Sequence, residues 1–508
     1  MKMKRIISAI LAAVMLVSVS VPAFAAKSCN CKNEPVIYIP GFGTPICKDL
    51  EAEEPVSLFP PASGAIAAAV PDLAVAIGGL LSGNNKLFGT FAMKGVEKML
   101  GEARCTPDGN PLPDTGIKPD ENEITLDVHK YADLVADEDI DDKYFTFLYD
   151  WRISPIDNAK LLRDYINEVK ALTGHKNYSL VAHSQGNTIV ATYLQLYGSK
   201  NIEKIVFLSP AFQGLSMVGS LFTKDIDVAH KGDAVEAFVK GIINYDDMEN
   251  AQNQLIGAAV SLVNSYGVVD FALNWLQTVL DSQLDRIFDE CLIDILGTMP
   301  GIWSFVPAEK YEQAKEIMLG NSEKYKGLIE KTDYYHYKVQ TKLTQLLRNA
   351  RANGTDIVIA AGYNISSIPV APGVANHSDF LIDTKYMSIG AKCAPYGSTL
   401  GEGYRQAKKC GHSHVSPDGI IDASTAAFPE YTWFFKNNPH NAFSDGYLDF
   451  VDWALNLSGQ PTVRSSQKYP QFMEASGDEI FPATAAKPED TRSDEEVIIR
   501  SAIGLIKG

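Results

Sequence analysis

The stretch Leu180-Val181-Ala182-His183-Ser184-Gln185-Gly186-Asn187 sets a serine between an apolar run and a helix-like segment. It fits small-x-Ser-x-Gly, the pattern of a tight strand-to-helix turn. Such a turn needs small residues two positions either side of the serine. It pushes the hydroxyl out at the carboxyl end of a sheet, beside a helix amino terminus that favours developing negative charge. The chemistry would be nucleophilic attack by Ser184. By itself the pentapeptide is a weak signal, arising roughly once in every few chains of this length. A second near match, Gly411-His412-Ser413-His414-Val415, lacks the final glycine and a preceding strand.

A serine hydroxyl needs a base, and the base needs an orienting carboxylate. On this type of fold the chain order is serine, acid, histidine, so the base comes late. Of nine histidines, His129, His175 and His183 precede the serine, and His230 and His336 fall in a helical insertion. His377, His412 and His414 come before the best acid. His440, in Asn-Asn-Pro-His-Asn, follows a strand-like Tyr-Thr-Trp-Phe-Phe and is the candidate base. The acid belongs on a loop after Asp356–Asn364. Asp418, in a Pro-Asp-Gly turn, is preferred; Asp422, which could instead cap a short helix, is the alternative. The oxyanion of an acyl intermediate needs donors. The backbone N–H groups of Gln185 and of Phe42, in Pro40-Gly41-Phe42-Gly43, are the candidates.

These side chains need a frame. Residues 35–44 read as a buried strand and glycine turn. Residues 143–152, 178–184 and 204–210 read as strands. Between them, 157–172 and 187–197 read as helices, the first with Leu161, Leu162, Tyr165, Ile166, Val169 and Leu172 on one side. Strand–helix alternation at this spacing gives an α/β fold with a parallel sheet. Residues 213–351 lack a strand pattern and form a helical cap before the sheet resumes at 356–364. Residues 448–457 read as the last core helix. Residues 45–122 are an insertion, either a buried helical hairpin or a mobile lid. Its apolar stretch 65–81 is broken by Pro71 and Asp72, too interrupted for a membrane span. The organisation is therefore a leader at 1–25, core at 26–212 and 352–458, and a polar, acidic, partly disordered tail at 459–508.

The 508 residues are too many for one minimal domain. Lys2, Lys4 and Arg5, an apolar run from Ile6 to Val21, and Ala23-Phe24-Ala25 read as a secretory signal cleaved after about Ala25. Cys29 raises a lipoprotein, against which Lys27 argues. Secretion permits disulfides among the seven cysteines, and the odd number leaves one over. No C-x-x-C spacing suggests a zinc site built from them, and no metal or cofactor is expected. The acidic run Asp137–Asp142 lacks a calcium-loop pattern. The net charge is −17, and −20 without the three basic residues of the leader. That excludes nucleic acid as an electrostatic partner. Contact with a lipid surface would have to be hydrophobic.

Tyr149-Asp150-Trp151-Arg152, Ala182-His183-Ser184-Gln185-Gly186, the early Pro-Gly strand end and the late Asp418-Gly419-Ile420-Ile421 resemble the lecithin:cholesterol acyltransferase family and its bacterial lipase-like relatives. Gly301-Ile302-Trp303-Ser304-Phe305-Val306-Pro307 resembles the tryptophan-proline loop of that family's cap. The resemblance implies an α/β-hydrolase fold with a lid, a cap and a serine-acid-histidine set acting on acyl esters of lipids. It also implies Cys47–Cys105 as a lid disulfide, with Cys393–Cys410 bracing the acid loop. The chain departs from the family in the residues around Asp418 and in its longer lid. Trp275, Trp303 and Phe305 would line the acyl pocket or form plain cap core. The expectation is a secreted serine esterase or lipase. Its alternatives are an acyltransferase and a catalytically silent binding protein on the same fold.

Overall fold

The computed structural model describes residues 34–118, 144–242, 251–320 and 322–484. The leader and the Asp137–Asp142 run lie outside these residues.

Eight strands make the central sheet. They are β1 (Val36–Ile39), β2 (Tyr144–Thr146), β3 (Tyr178–His183), β4 (Ile202–Leu208), β5 (Asp356–Tyr363), β6 (Thr432–Lys436), β7 (Phe472–Ser476) and β8 (Glu479–Pro482). Their order is β8-β7-β6-β5-β4-β3-β1-β2. Every neighbouring pair is parallel except β7 and β8. Parallel strands are covered on both faces and so carry nearly continuous apolar runs. All six residues of β3 are buried. Alternate residues feed two cores. Ile37, Leu180, Ile205, Phe207, Ile359 and Phe434 face one, whereas Val36, Val181, Val206, Val358, Trp433 and Phe435 face the other.

The helices are α1 (Ser63–Leu81) and α2 (Asn85–Leu100), a hairpin in the insertion after β1, and α3 (Pro155–Thr173), α4 (Gly186–Tyr197), α5 (Leu343–Ala352) and α6 (Asp445–Asn456), which close the two faces of the sheet. Helix α3 starts where Ser154 Oγ accepts the Asp157 N–H at 3.1 Å with Pro155 in the first turn, and it stops at Gly174, whose φ is 69°. It buries Leu162, Tyr165, Ile166 and Val169, but Leu161 faces solvent. Helix α6 lays Tyr447, Phe450, Val451 and Ala454 on the second core. Its last turn receives the buried Lys204 ammonium from β4, which donates to the carbonyls of Ala454 and Leu457, both at 2.7 Å. A cation on those orphan carbonyls is a favourable helix end. This is an α/β-hydrolase fold.

Between β4 and β5 the described chain is helical. In the insertion after β1, three short strands, Ile46–Lys48, Val56–Phe59 and Thr115–Gly116, pair antiparallel beneath the α1–α2 hairpin. Helix α1 runs continuously through Pro71 and shows an apolar exposed side with Ile66, Val70, Ile77 and Leu81. It is long and apolar enough to cross a membrane by length and composition, contrary to the reading of an interrupted stretch.

Two expectations are corrected. Residues 459–484 are not a polar tail. They carry β7 and β8, which extend the sheet with Phe472, Met473 and Ala475 buried. The implied disulfides are absent as well. Cys105 is a buried free thiol, and Cys393 and Cys410 are both free, so neither Cys47–Cys105 nor Cys393–Cys410 is joined.

Candidate active site

The chain passes to β2 on one side of β1 and to β3 on the other. The segments following β1 and β3 therefore flank the sheet's switch point, where α/β folds open a crevice. Ser184 is the first residue after β3, and its φ is 51°, a strained value for serine. The turn is over-determined. The Ser184 N–H donates to Leu208 O at 3.1 Å, and Ser184 O accepts from the N–H groups of Asn187 and Ala211, both at 3.2 Å. Gly186 is required by close approach: a Cβ there would sit 2.4 Å from Ile39 O and 2.6 Å from Pro40 O.

The loop after β1 hangs from the residues after β2. Tyr149 Oη donates to Pro40 O at 2.9 Å, and Trp151 Nε1 donates to Thr44 O at 3.0 Å. The Phe42 ring rests on Trp151, centroids 4.2 Å apart, and on Phe59 from the insertion at 5.3 Å. The Gln185 amide donates to Trp151 O at 2.9 Å, tying the serine turn to the same frame. Arg152, fully buried, pairs with Asp150 at 2.7 Å and donates to Ala103 O at the base of the α1–α2 hairpin. The Tyr-Asp-Trp-Arg run thus braces both the glycine loop and the insertion.

His440 follows β6. Its Nε2 lies 2.9 Å from Ser184 Oγ, and its Nδ1 lies 2.7 Å from Asp379 Oδ2. The His440 N–H also donates to Asp379 O at 2.9 Å, so two bonds lock the two loops together. Asp379 has no exposed surface. Burial would push its carboxyl upward. The charge and hydrogen bond of His440 and the N–H groups of Leu381 and Ile382 outweigh this and hold it below the ordinary carboxylate value. Gly362 makes room, since a Cβ there would meet Asp379 Cβ at 2.7 Å. His183 supports the base from below. Its Nε2 donates to His440 O at 2.9 Å, and the rings are 4.7 Å apart. Desolvation, and then the neighbouring His440, push His183 down to about 3, so this ring is neutral.

The carboxylate that meets His440 is therefore not the one expected. Asp418 does not reach His440. Its Oδ1 accepts from Ser416 Oγ at 2.6 Å and from the Ile420 N–H, folding its own turn. Its Oδ2 lies 3.3 Å from Tyr363 Oη and 3.4 Å from Lys436 Nζ. Asp422 caps the turn at Ser424 and accepts from Tyr404 and Ala407. The Asp-Gly pattern at Asp418 marks a tight turn, which the structure contains, and carries no information about what the carboxylate reaches. Asp379 and His183 were missed. Asp379 sits on the loop that leaves β5, where the acid was sought, and that position in the chain was the available signal.

A cavity of about 480 Å³ opens over Ser184 and His440, lined by Tyr38, Phe42, Leu148, Leu381 and Phe443 among others. Gln185 follows Ser184 at the start of α4. The expected cap aromatics are not in this lining. Trp303 and Phe305 are buried in the core, Trp303 against Phe222 and Tyr311, with its Nε1 donating to Gly297 O. A Cβ on Gly301 would overlap Trp151 O, so this loop packs tightly behind the Tyr-Asp-Trp-Arg run, away from the cavity. Trp275 is half-buried within the helix Val268–Ile287. Among the described residues, the one group with metal-ligand character is Cys410, His412 and His414, outside this cavity.

Comparison with known proteins gives a match to the family model for lecithin:cholesterol acyltransferase over residues 139–226. That segment holds both the Tyr-Asp-Trp-Arg run and Ser184, and the chain resembles the family there. No curated protein matches. Among solved structures, the crystal structure of the Tle4–Tli4 complex aligns with 93% of this chain and 98% of that one, at 13% identity and a TM-score of 0.26.

Proposed function

We propose that the protein is a serine esterase acting on lipid acyl esters through an acyl-enzyme on Ser184. The observation that carries this is the bonded series Ser184–His440–Asp379 at the floor of an apolar cavity. His440 Nε2 takes the proton from Ser184 Oγ as that oxygen bonds to the ester carbonyl carbon. Asp379 accepts from Nδ1, fixes the tautomer and stabilises the imidazolium. The N–H groups of Phe42 and Gln185 hold the oxyanion. The tetrahedral intermediate collapses, and the alcohol leaves with the proton from His440. Water then gives its proton to His440 and attacks the acyl-serine. His440 returns that proton to Ser184 Oγ as the acyl–oxygen bond breaks, leaving a carboxylic acid and the original serine. A bound alcohol in place of water gives acyl transfer.

The lipid assignment is supported by the apolar lining, by the family match across the serine segment and by the exposed apolar side of α1, which suits transient contact with a lipid surface. Secretion, with the leader cleaved after about Ala25, rests on the pattern of the first residues. The test is hydrolysis of p-nitrophenyl esters from acetyl to palmitoyl. Wild type should prefer longer chains, Ser184→Ala should lose about a millionfold in kcat, and a fluorophosphonate should label wild type alone. Equal turnover by Ser184→Ala would overturn the proposal.

A further inference from the structure

The loop Cys410-Gly411-His412-Ser413-His414 lies near the start of β6, whereas His440 follows the end of that strand. Cys410 Sγ and one ring nitrogen each of His412 and His414 lie within 4.8 Å of one another. Glu430, two residues before β6, adjoins the two histidines of this group. Its Oε1 is 2.9 Å from His412 Nε2 and 3.4 Å from His414 Nε2.

The hydrogen bonding around His414 decides what this group is for. His414 is buried, and its Nδ1 lies 2.6 Å from Gln471 Oε1. The Gln471 amide nitrogen donates to the carbonyls of Pro429 and Thr432, so its oxygen must face the ring and Nδ1 must donate. A neutral His414 then carries its lone pair on Nε2, aimed at a carboxylate. His412 Nε2 faces the same oxygen, yet neither His412 Nε2 nor Glu430 Oε2 makes a hydrogen bond. The His414 lone pair and the Glu430 oxygen are two acceptors facing each other at 3.4 Å, and a cation between them would relieve their repulsion. A ring whose far N–H is held by a carbonyl oxygen is also the usual support of a metal-bound histidine. The thiol has a comparable support: the Gln406 amide nitrogen lies 3.1 Å from Cys410 Sγ, and its oxygen accepts the His414 N–H.

We propose that Cys410, His412, His414 and Glu430 bind one zinc ion in a closed tetrahedral site. One sulfur, two imidazole nitrogens and a carboxylate oxygen are a borderline-soft set suited to zinc. Ligand atoms around zinc lie about 3.3–3.8 Å apart, so the loop closes slightly on binding. Four protein ligands leave no open position, and the ion is structural. It staples the 406–414 loop to the residues that precede β6 and, through Gln471, to the start of β7. Arg464 Nε lies 3.7 Å from the other carboxylate oxygen, Glu430 Oε2. Cysteine spacing taken alone gave no hint of this site, because one cysteine and two histidines at alternate positions supply the donors.

The test uses the full chain without an affinity tag, kept reduced, stripped with a chelator and titrated with zinc sulfate. Wild type should bind one zinc per chain. It should also show a thiolate-to-cobalt charge-transfer band when cobalt replaces zinc. Cys410 is exposed and His412 partly so, so Cys410→Ser with His412→Gln should fold normally by circular dichroism. This double variant should lose at least ~100-fold in zinc affinity and lose the cobalt band. Wild type that binds no zinc, or a double variant that binds it equally well, overturns the proposal.

Discussion

Ser184 and His440, which the sequence singles out, lie within hydrogen-bond distance in the fold, whereas Asp418 folds its own turn and Asp379 meets the imidazole. The difference is physical. A strained serine turn has a local signature: small residues at fixed offsets between a strand and a helix. A carboxylate that meets a histidine has none, because it is defined by a partner 61 positions away. His183 has no local signature either, yet it holds the His440 carbonyl. Its burial gives a pH prediction. In the unfolded chain this ring takes a proton at its ordinary 6.5, and in the fold at about 3. Between those values the unfolded state binds more protons, so stability rises with pH and falls on acidification. From pH 7 to 5 the loss from this group is about 2 kcal/mol. Urea unfolding at pH 7 and pH 5 should show a smaller drop for His183→Asn than for wild type; equal drops would contradict the assignment.

At the scale of elements, the strands that carry the site were legible because buried parallel strands must be apolar on both faces. β7 and β8 were not, since short strands near a sheet edge alternate with polar residues and resemble a tail. The α1–α2 hairpin stands between the two readings offered for it. It is a helical hairpin, but α1 leaves apolar side chains in solvent. If that side meets lipid, its polarity should affect activity on surfaces alone. Ile77→Ser with Leu81→Ser should lower hydrolysis of an emulsified triglyceride about tenfold, since each buried apolar side chain contributes roughly 1.5–3 kcal/mol and only part of it is recovered. Turnover of a soluble short-chain ester should stay within twofold. An equal fall on both substrates would place α1 in the chemistry or the fold instead.

For the whole molecule, the core continues past residue 458 into β7 and β8. β7 pairs with β6 through Phe434–Phe472, Phe435–Met473 and Lys436–Glu474, and β6 leads directly to His440. Removing 459–508 should uncover the β6 edge and give aggregated, inactive protein. Soluble, active protein from this deletion would show that β7 and β8 are dispensable.

The central claim, that His440 is oriented by Asp379, is tested most directly by kcat for a p-nitrophenyl ester at pH 7.5 in two single variants. Asp379→Asn keeps the side-chain volume and should lower kcat by about 10⁴-fold. Asp418→Asn should change it by less than tenfold. A large loss in Asp418→Asn with near-normal turnover in Asp379→Asn would contradict the account and return the acid to the Pro-Asp-Gly turn.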